Sequence, residues 1–218
     1  MPSEYENLLN AALNHVPFEG MNESALRAGA RDIDMPLSLS RVYFPQGGAD
    51  LAAAYHRRAD AQLRDWLATA PAMTRFRDRV AEAVMHRLSL VDPELVRAGA
   101  ATLALPGNAA LGLRLIWESA DIIWIGLGDS SDNADWYSKR ASLAAVIGPT
   151  VLFWLGDDSP GDADTRGFLD RRIEGLMRFQ TWNRRLGSLP GAEALSRATL
   201  GRLRAPHRRD LPGRTTGR

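Results

Sequence analysis

The stretch from Ala120 to Trp154, ADIIWIGLGDSSDNADWYSKRASLAAVIGPTVLFW, leaves few folds open to this chain. Two strongly apolar runs flank a polar turn, Gly128-Asp129-Ser130-Ser131-Asp132-Asn133. The first run holds Ile116, Trp117, Ile122, Ile123, Trp124, Ile125 and Leu127. The second holds Leu143, Ala144, Ala145, Val146, Ile147, Val151, Leu152, Phe153 and Trp154. A helical hairpin with so little polar surface must be buried almost all round or enclose something apolar. Burial makes it the core of an all-α domain. Enclosure makes Ile116, Ile123, Trp124, Leu143, Ile147 and Phe153 the candidate lining of an apolar ligand chamber. Neither run is long enough to cross a bilayer.

The remaining chain is also helical. Apolar positions at i, i+3 and i+4 predict helices over Glu4–Val16, ended by Pro17, and over Glu23–Arg31, capped by Asn22. They predict further helices over Ser38–Tyr43 and from the Phe44-Pro45-Gln46-Gly47-Gly48 turn to Ala70. Helices over Pro71–Leu90 and from Pro93 to Leu103 follow. Asn108 is placed to cap a helix running to Leu127, and Asp132-Asn133 one from Ala134 to Leu155, with Gly148-Pro149 in its middle. The acidic cluster Asp157-Asp158-Ser159-Pro160-Gly161-Asp162 lacks calcium-loop spacing and reads as a cap for a helix over Ala163–Leu186.

Charge is unevenly spread. Met1 to Ala70 carries nine acids against six arginines, net −3, whereas Arg184 to Arg218 carries nine arginines against two acids, net +7. Within that basic stretch Leu195, Leu200 and Leu203 fall on one helical arc, with Arg197 and Arg204 opposite. Such an amphipathic segment fits a membrane surface, dimer packing or a frayed tail, and the Arg- and Gly-rich remainder reads as disordered. The absence of cysteine excludes disulfides and thiolate zinc sites. The acidic start reads as neither signal nor transit peptide, which points to a bacterial cytoplasmic protein. His15, His56, His86 and His207 are scattered, and no nucleophile elbow, phosphate loop or paired metal-ligand motif occurs, which favours a binding module without cofactor over an enzyme.

Several pieces recur in a fixed order: Leu105-Pro106-Gly107-Asn108, Ala120-Asp121 with Trp124, Gly128-Asp129, Asp135-Trp136-Tyr137, Arg140-Ala141, Leu143-Ala144-Ala145 and Asp157-Asp158-Ser159-Pro160. In order and spacing they resemble the ubiquinone-biosynthesis accessory family known as the ninth Coq protein. The resemblance runs from about Leu8 to about Met177. The three short N-terminal helices with their Phe44-Pro45 turn also resemble the helix-turn-helix of TetR-type regulators, an architecture that family shares.

The resemblance implies an all-α, TetR/FadR-like helical bundle. Residues 1–45 would form a degenerate helix-turn-helix region, 46–186 a lipid-binding domain, 187–205 an amphipathic helix touching the membrane and 206–218 a disordered tail. It implies an isoprenoid quinone precursor as ligand, homodimerisation, and a location peripheral to the bacterial inner membrane. It further implies that a patch of Leu105, Pro106, Asp121, Trp136, Tyr137 and Arg140 meets the di-iron demethoxyubiquinone hydroxylase. From the residues alone, Trp136 and Tyr137 serve equally as core anchors. A TetR-type regulator sensing an apolar ligand is the alternative. Its reading segment, Asp32 to Arg41, argues against DNA, with two aspartates and a single cation where phosphates must be met.

Overall fold

The computed structural model describes residues 3–70, 75–132 and 134–187. Among these the chain is all α-helical: α1 Glu4–Glu19, α2 Glu23–Asp32, α3 Leu37–Tyr43, α4 Gly48–Thr69, α5 Phe76–Ser89, α6 Pro93–Leu103, α7 Ala109–Gly126, α8 Ala134–Trp154 and α9 Ala163–Gly187. The amphipathic segment with Leu195, Arg197, Leu200, Leu203 and Arg204, the Arg- and Gly-rich remainder with His207, and the expected cap residue Asn133 lie outside the described residues.

Local chemistry explains several boundaries. The Asn22 side chain accepts from the Ser24 and Ala25 amides to open α2, and Asp92 accepts from Glu94 and Leu95 ahead of Pro93 to open α6. Helix α1 continues past Pro17 and stops at Gly20, whose φ of +77° suits glycine. Gly48 is required by packing: a Cβ there would come within 2.2 Å of the Met21 carbonyl oxygen. The acidic cluster is a cap, as its sequence predicts. The Asp157 carboxylate accepts from the amides of Ser159 and Thr165 and from the Thr165 hydroxyl, and these bonds hold it well below the usual carboxylate range. Asn108 departs from expectation. Its side chain makes no cap hydrogen bond to α7 and donates instead to the Thr102 carbonyl, closing the α6–α7 turn.

Two apolar cores share α4. The first gathers Leu8, Leu9 and Val16 of α1, Leu26 of α2, Phe44, and Leu51 and Tyr55 of α4, with Leu95 and Val96 of α6 against them. The second gathers Leu63 of α4, Val80 and Val84 of α5, Ile123 of α7, Leu143 and Ile147 of α8, and Leu169 and Ile173 of α9. The long helix thus ties the helix-turn-helix-like end to the hairpin end. In the former, Arg41 of α3 is committed to Glu23 of α2 at 2.9 Å.

Candidate functional site

The hairpin does not close fully on its neighbours. A cavity of about 580 Å³ lies among α4, α5, α6, α7 and α8. Its walls include Leu88, Leu95, Leu103, Leu113, Ile116, Ile123, Ile147 and Leu152. Gly99 of α6, Gly112 of α7 and Gly148 of α8 also face it, so each of three helices withholds a side chain where the space opens. Pro149 sits beside Gly148 on the wall, inside an α8 that continues through it to Trp154. The cavity rim is apolar yet open to solvent, with Leu113 at 72% and Leu152 at 67% exposure.

Three of the six predicted lining residues, Ile116, Ile123 and Ile147, are in that wall. The other three are placed elsewhere. Trp124 turns away, donating its indole N–H to the Lys139 carbonyl and stacking on Phe76. Leu143 is core, packed in the second cluster. Phe153 is partly exposed and stacks on Phe168 of α9, at 4.5 Å between ring centroids. Helices α4 and α5 also contribute to the lining, and no residue of α9 does.

One belt of this apolar wall is polar, and nothing in the sequence reading assigned it. His56 of α4, Arg87 of α5 and Ser119 of α7 line the cavity around Asp60, which is 2% exposed. The Arg87 guanidinium meets Asp60 at 2.6 Å and the His56 carbonyl at 3.0 Å. The Ser119 hydroxyl donates to Asp60 at 3.0 Å, and His56 Nε2 lies 2.8 Å from Ser119 Oγ and 3.4 Å from Asp60. Burial opposes the charge on Asp60, but His56 and Arg87 outweigh it and hold the carboxyl below its ordinary value. His56 and Asp60 are four apart on one helix, a spacing visible in sequence; their union with Ser119 and Arg87 is tertiary.

The second group of predicted site residues surrounds α7. Leu105 is 56% exposed and Pro106 is exposed in the turn before the helix. Trp136 and Tyr137, at the start of α8, cluster with Trp117 of α7 at 5.9 and 6.5 Å. Trp117 was legible as apolar but not as the centre of this cluster. Arg140 is not a surface contact. It is 1% exposed, held by Asp121 and Asp129 at 2.7 Å each, with its guanidinium 4.3 Å from the Trp136 ring centroid. Carboxylates on both sides satisfy the fork and draw it beneath the aromatic cluster. Lys139, the sole lysine, reaches the same Asp129 at 2.7 Å. Burial opposes ionisation of Asp129, but hydrogen bonds from Lys139, Arg140 and Ser131 prevail and hold its carboxyl far below the ordinary range.

The hairpin and most of α9, residues 109–180, match the COQ9 family model. The chain is 30% identical over 176 residues to the Schizosaccharomyces pombe protein named "Ubiquinone biosynthesis protein coq9, mitochondrial", covering 77% of this chain and 67% of that one. The chain belongs to the COQ9 family. A Drosophila melanogaster COQ9 is 32% identical over 180 residues, covering 79% of this chain and 55% of the relative. The human COQ9 is 28% identical over 204 residues, covering 89% and 63%. The chain therefore spans little more than half to two thirds of the length of these animal COQ9 proteins. A TetR transcriptional regulator from Nitrosomonas europaea superposes with a TM-score of 0.61 at 16% identity, over 79% of this chain and 97% of the regulator. That similarity establishes a TetR-like fold for this COQ9 family member. Among the described residues, no helix is long and apolar enough to cross a membrane.

Proposed function

We propose that this COQ9 family protein serves ubiquinone biosynthesis as a lipid carrier. In this reading it takes an isoprenoid quinone precursor into the cavity among α4–α8 and hands it to the di-iron demethoxyubiquinone hydroxylase at a membrane surface. The names of its relatives supply the pathway. The observation that carries the reading is the cavity itself: 580 Å³, walled by leucine, isoleucine and glycine. A space of this size falls within the range of small-molecule sites. Its apolar lining favours a hydrocarbon by about 25 cal/mol for each Å² withdrawn from water. The exposed Leu113 and Leu152 at the rim give a long tail an apolar path outward. Lipid extraction and native mass spectrometry of the purified protein test the reading. A prenylated or alkyl ligand in stoichiometric amount is the expected result; a folded protein that never carries lipid and takes none from vesicles would sink it.

The alternative, a regulator that reads DNA, has less support. The cation of the expected reading segment, Arg41, is engaged by Glu23, and Asp32 and Asp34 stand near it in sequence.

The exposed Leu105-Pro106 turn and the aromatic cluster of Trp117, Trp136 and Tyr137 are the proposed hydroxylase-binding surface. Asp121 and Arg140 position Trp136 from below and do not touch the partner. Leu105→Glu is expected to weaken hydroxylase capture about tenfold with stability within about 0.5 kcal/mol of the parent, as measured by pull-down and thermal unfolding. Trp136→Lys is expected to lower stability as well, because it sets a second cation against the Arg140 guanidinium. Unchanged capture by a folded Leu105→Glu protein would remove the Leu105-Pro106 turn from the interface.

A further inference from the structure

The polar belt in the cavity wall has no role in holding a pure hydrocarbon. We infer that His56 is the head-group site, and that it accepts a hydrogen bond from the hydroxyl of an alkylated or prenylated phenol whose ring lies inside the protein. The inference rests on the lipid-carrier reading and specifies which end of the ligand is buried.

His56 Nε2 faces three oxygens, those of Leu115 carbonyl at 3.1 Å, Ser119 at 2.8 Å and Asp60 at 3.4 Å. The first and last of these can only accept from it while Asp60 is ionised, and the Ser119 hydroxyl has its own acceptor in Asp60. Nε2 therefore carries the proton. In the neutral ring this leaves Nδ1 as an acceptor, and among the described residues no hydrogen bond to Nδ1 occurs. The Asp60 carboxylate, itself held by Arg87, lies on the Nε2 side of the ring, so the tautomer is fixed from behind, as a carboxylate fixes a ligating or catalytic imidazole. Tyr55, also in the lining, accepts the Asp92 amide at its hydroxyl oxygen.

Position supports the same orientation. On α7, Ser119 lies six residues beyond the exposed Leu113, about 9 Å along the helix at 1.5 Å per residue. A ring with its hydroxyl at His56 thus sits well inside, and its tail leads back past Leu113 and Leu152 to the apolar rim. The opposite orientation would leave Nδ1 unpaired against hydrocarbon and put the polar ring among exposed leucines.

Three probes that differ only at the ring test this with the full chain: 4-dodecylphenol, 4-dodecylanisole and dodecylbenzene, titrated calorimetrically below their aggregation limits. Desolvation alone ranks the phenol weakest, because its hydroxyl must leave water. The expected result is the reverse, with the phenol bound about fivefold to tenfold more tightly than either other probe. In His56→Phe, which keeps a ring but has no acceptor, that preference is expected to disappear while dodecylbenzene still binds. Equal or weaker binding of the phenol by the parent overturns the head-group assignment and leaves the cavity reading standing. Failure of all three to bind overturns both. The parent comparison decides the matter even if the His56→Phe protein does not fold.

Discussion

Gly148→Leu, combined with Gly99→Leu, is expected to remove lipid from the purified protein without unfolding it. The two glycines line the cavity from α8 and α6, and space is available at both. A Cβ at Gly148 meets only Ile116 Cδ1, at 3.5 Å, an ordinary contact. A Cβ at Gly99 meets the Met21 sulfur at 3.4 Å, the far part of a flexible side chain. Neither glycine has a positive φ, but Gly148 precedes Pro149 inside α8, where a Cβ is disfavoured in helical backbone, so Gly148→Leu carries a steric cost that Gly99→Leu does not. Replacing a mid-helix glycine recovers roughly 0.5–1 kcal/mol of backbone entropy, and the leucines bury further apolar area in the former void. Against the delipidated parent, these gains offset the cost of a side chain before Pro149, and the change in stability is expected to stay within about 1 kcal/mol. Delipidated protein is the proper reference, since a bound ligand adds RT ln(1 + [L]/Kd) to the parent's stability. Lipid occupancy by native mass spectrometry is expected to fall at least tenfold. Undiminished lipid on a folded double variant would show that the ligand lies elsewhere.

How much of this site could be read from the sequence depended on what each residue's pattern encodes. The all-α fold was legible because caps and breakers mark its helices: Asn22, Asp92 with Pro93, and the Asp157 cluster act as their chemistry predicts. The direction in which the hairpin faces was not. Helix α8 is apolar on nearly every side, so its periodicity cannot separate Ile147, which faces the cavity, from Leu143, which faces the core. Trp124 was drawn out of the cavity by a backbone carbonyl, that of Lys139, which no side-chain pattern announces. The space itself comes from Gly99, Gly112 and Gly148, residues that a search for apolar lining overlooks. Arg140 misled for a different reason. An arginine four residues after a tryptophan looks the same in sequence whether it flanks the ring at the surface or supports it from below; only Asp121 and Asp129, brought in by the α7–α8 turn, decide between them.

That buried arrangement leads to the largest expected loss of stability. Arg140→Met removes the guanidinium from between two carboxylates and from beneath Trp136, while Lys139 keeps one oxygen of Asp129. Breaking a buried ion pair by deleting one partner costs about 3–5 kcal/mol, because the other partner stays charged and desolvated. The remaining lysine places the expectation near the lower end, about 3 kcal/mol, or roughly 6–12 °C in the unfolding midpoint for a chain of this size. The pH dependence identifies the cause. Asp129 has a folded-state carboxyl far below its unfolded value. Its contribution is therefore complete above the ordinary carboxylate pKa of about 4 and is lost as the pH falls through and below that value. Without Arg140 the carboxyl rises toward its unfolded value, so the variant is expected to lose less stability than the parent between about pH 5 and pH 2. The deficit then narrows on acidification. Arg140→Met combined with Asp129→Asn is expected to cost less than the two single changes together, since the desolvated charge is gone. A deficit that stays constant from neutral to acid pH, with additive single effects, would mean that Arg140 acts through packing against Trp136 and not through its carboxylates.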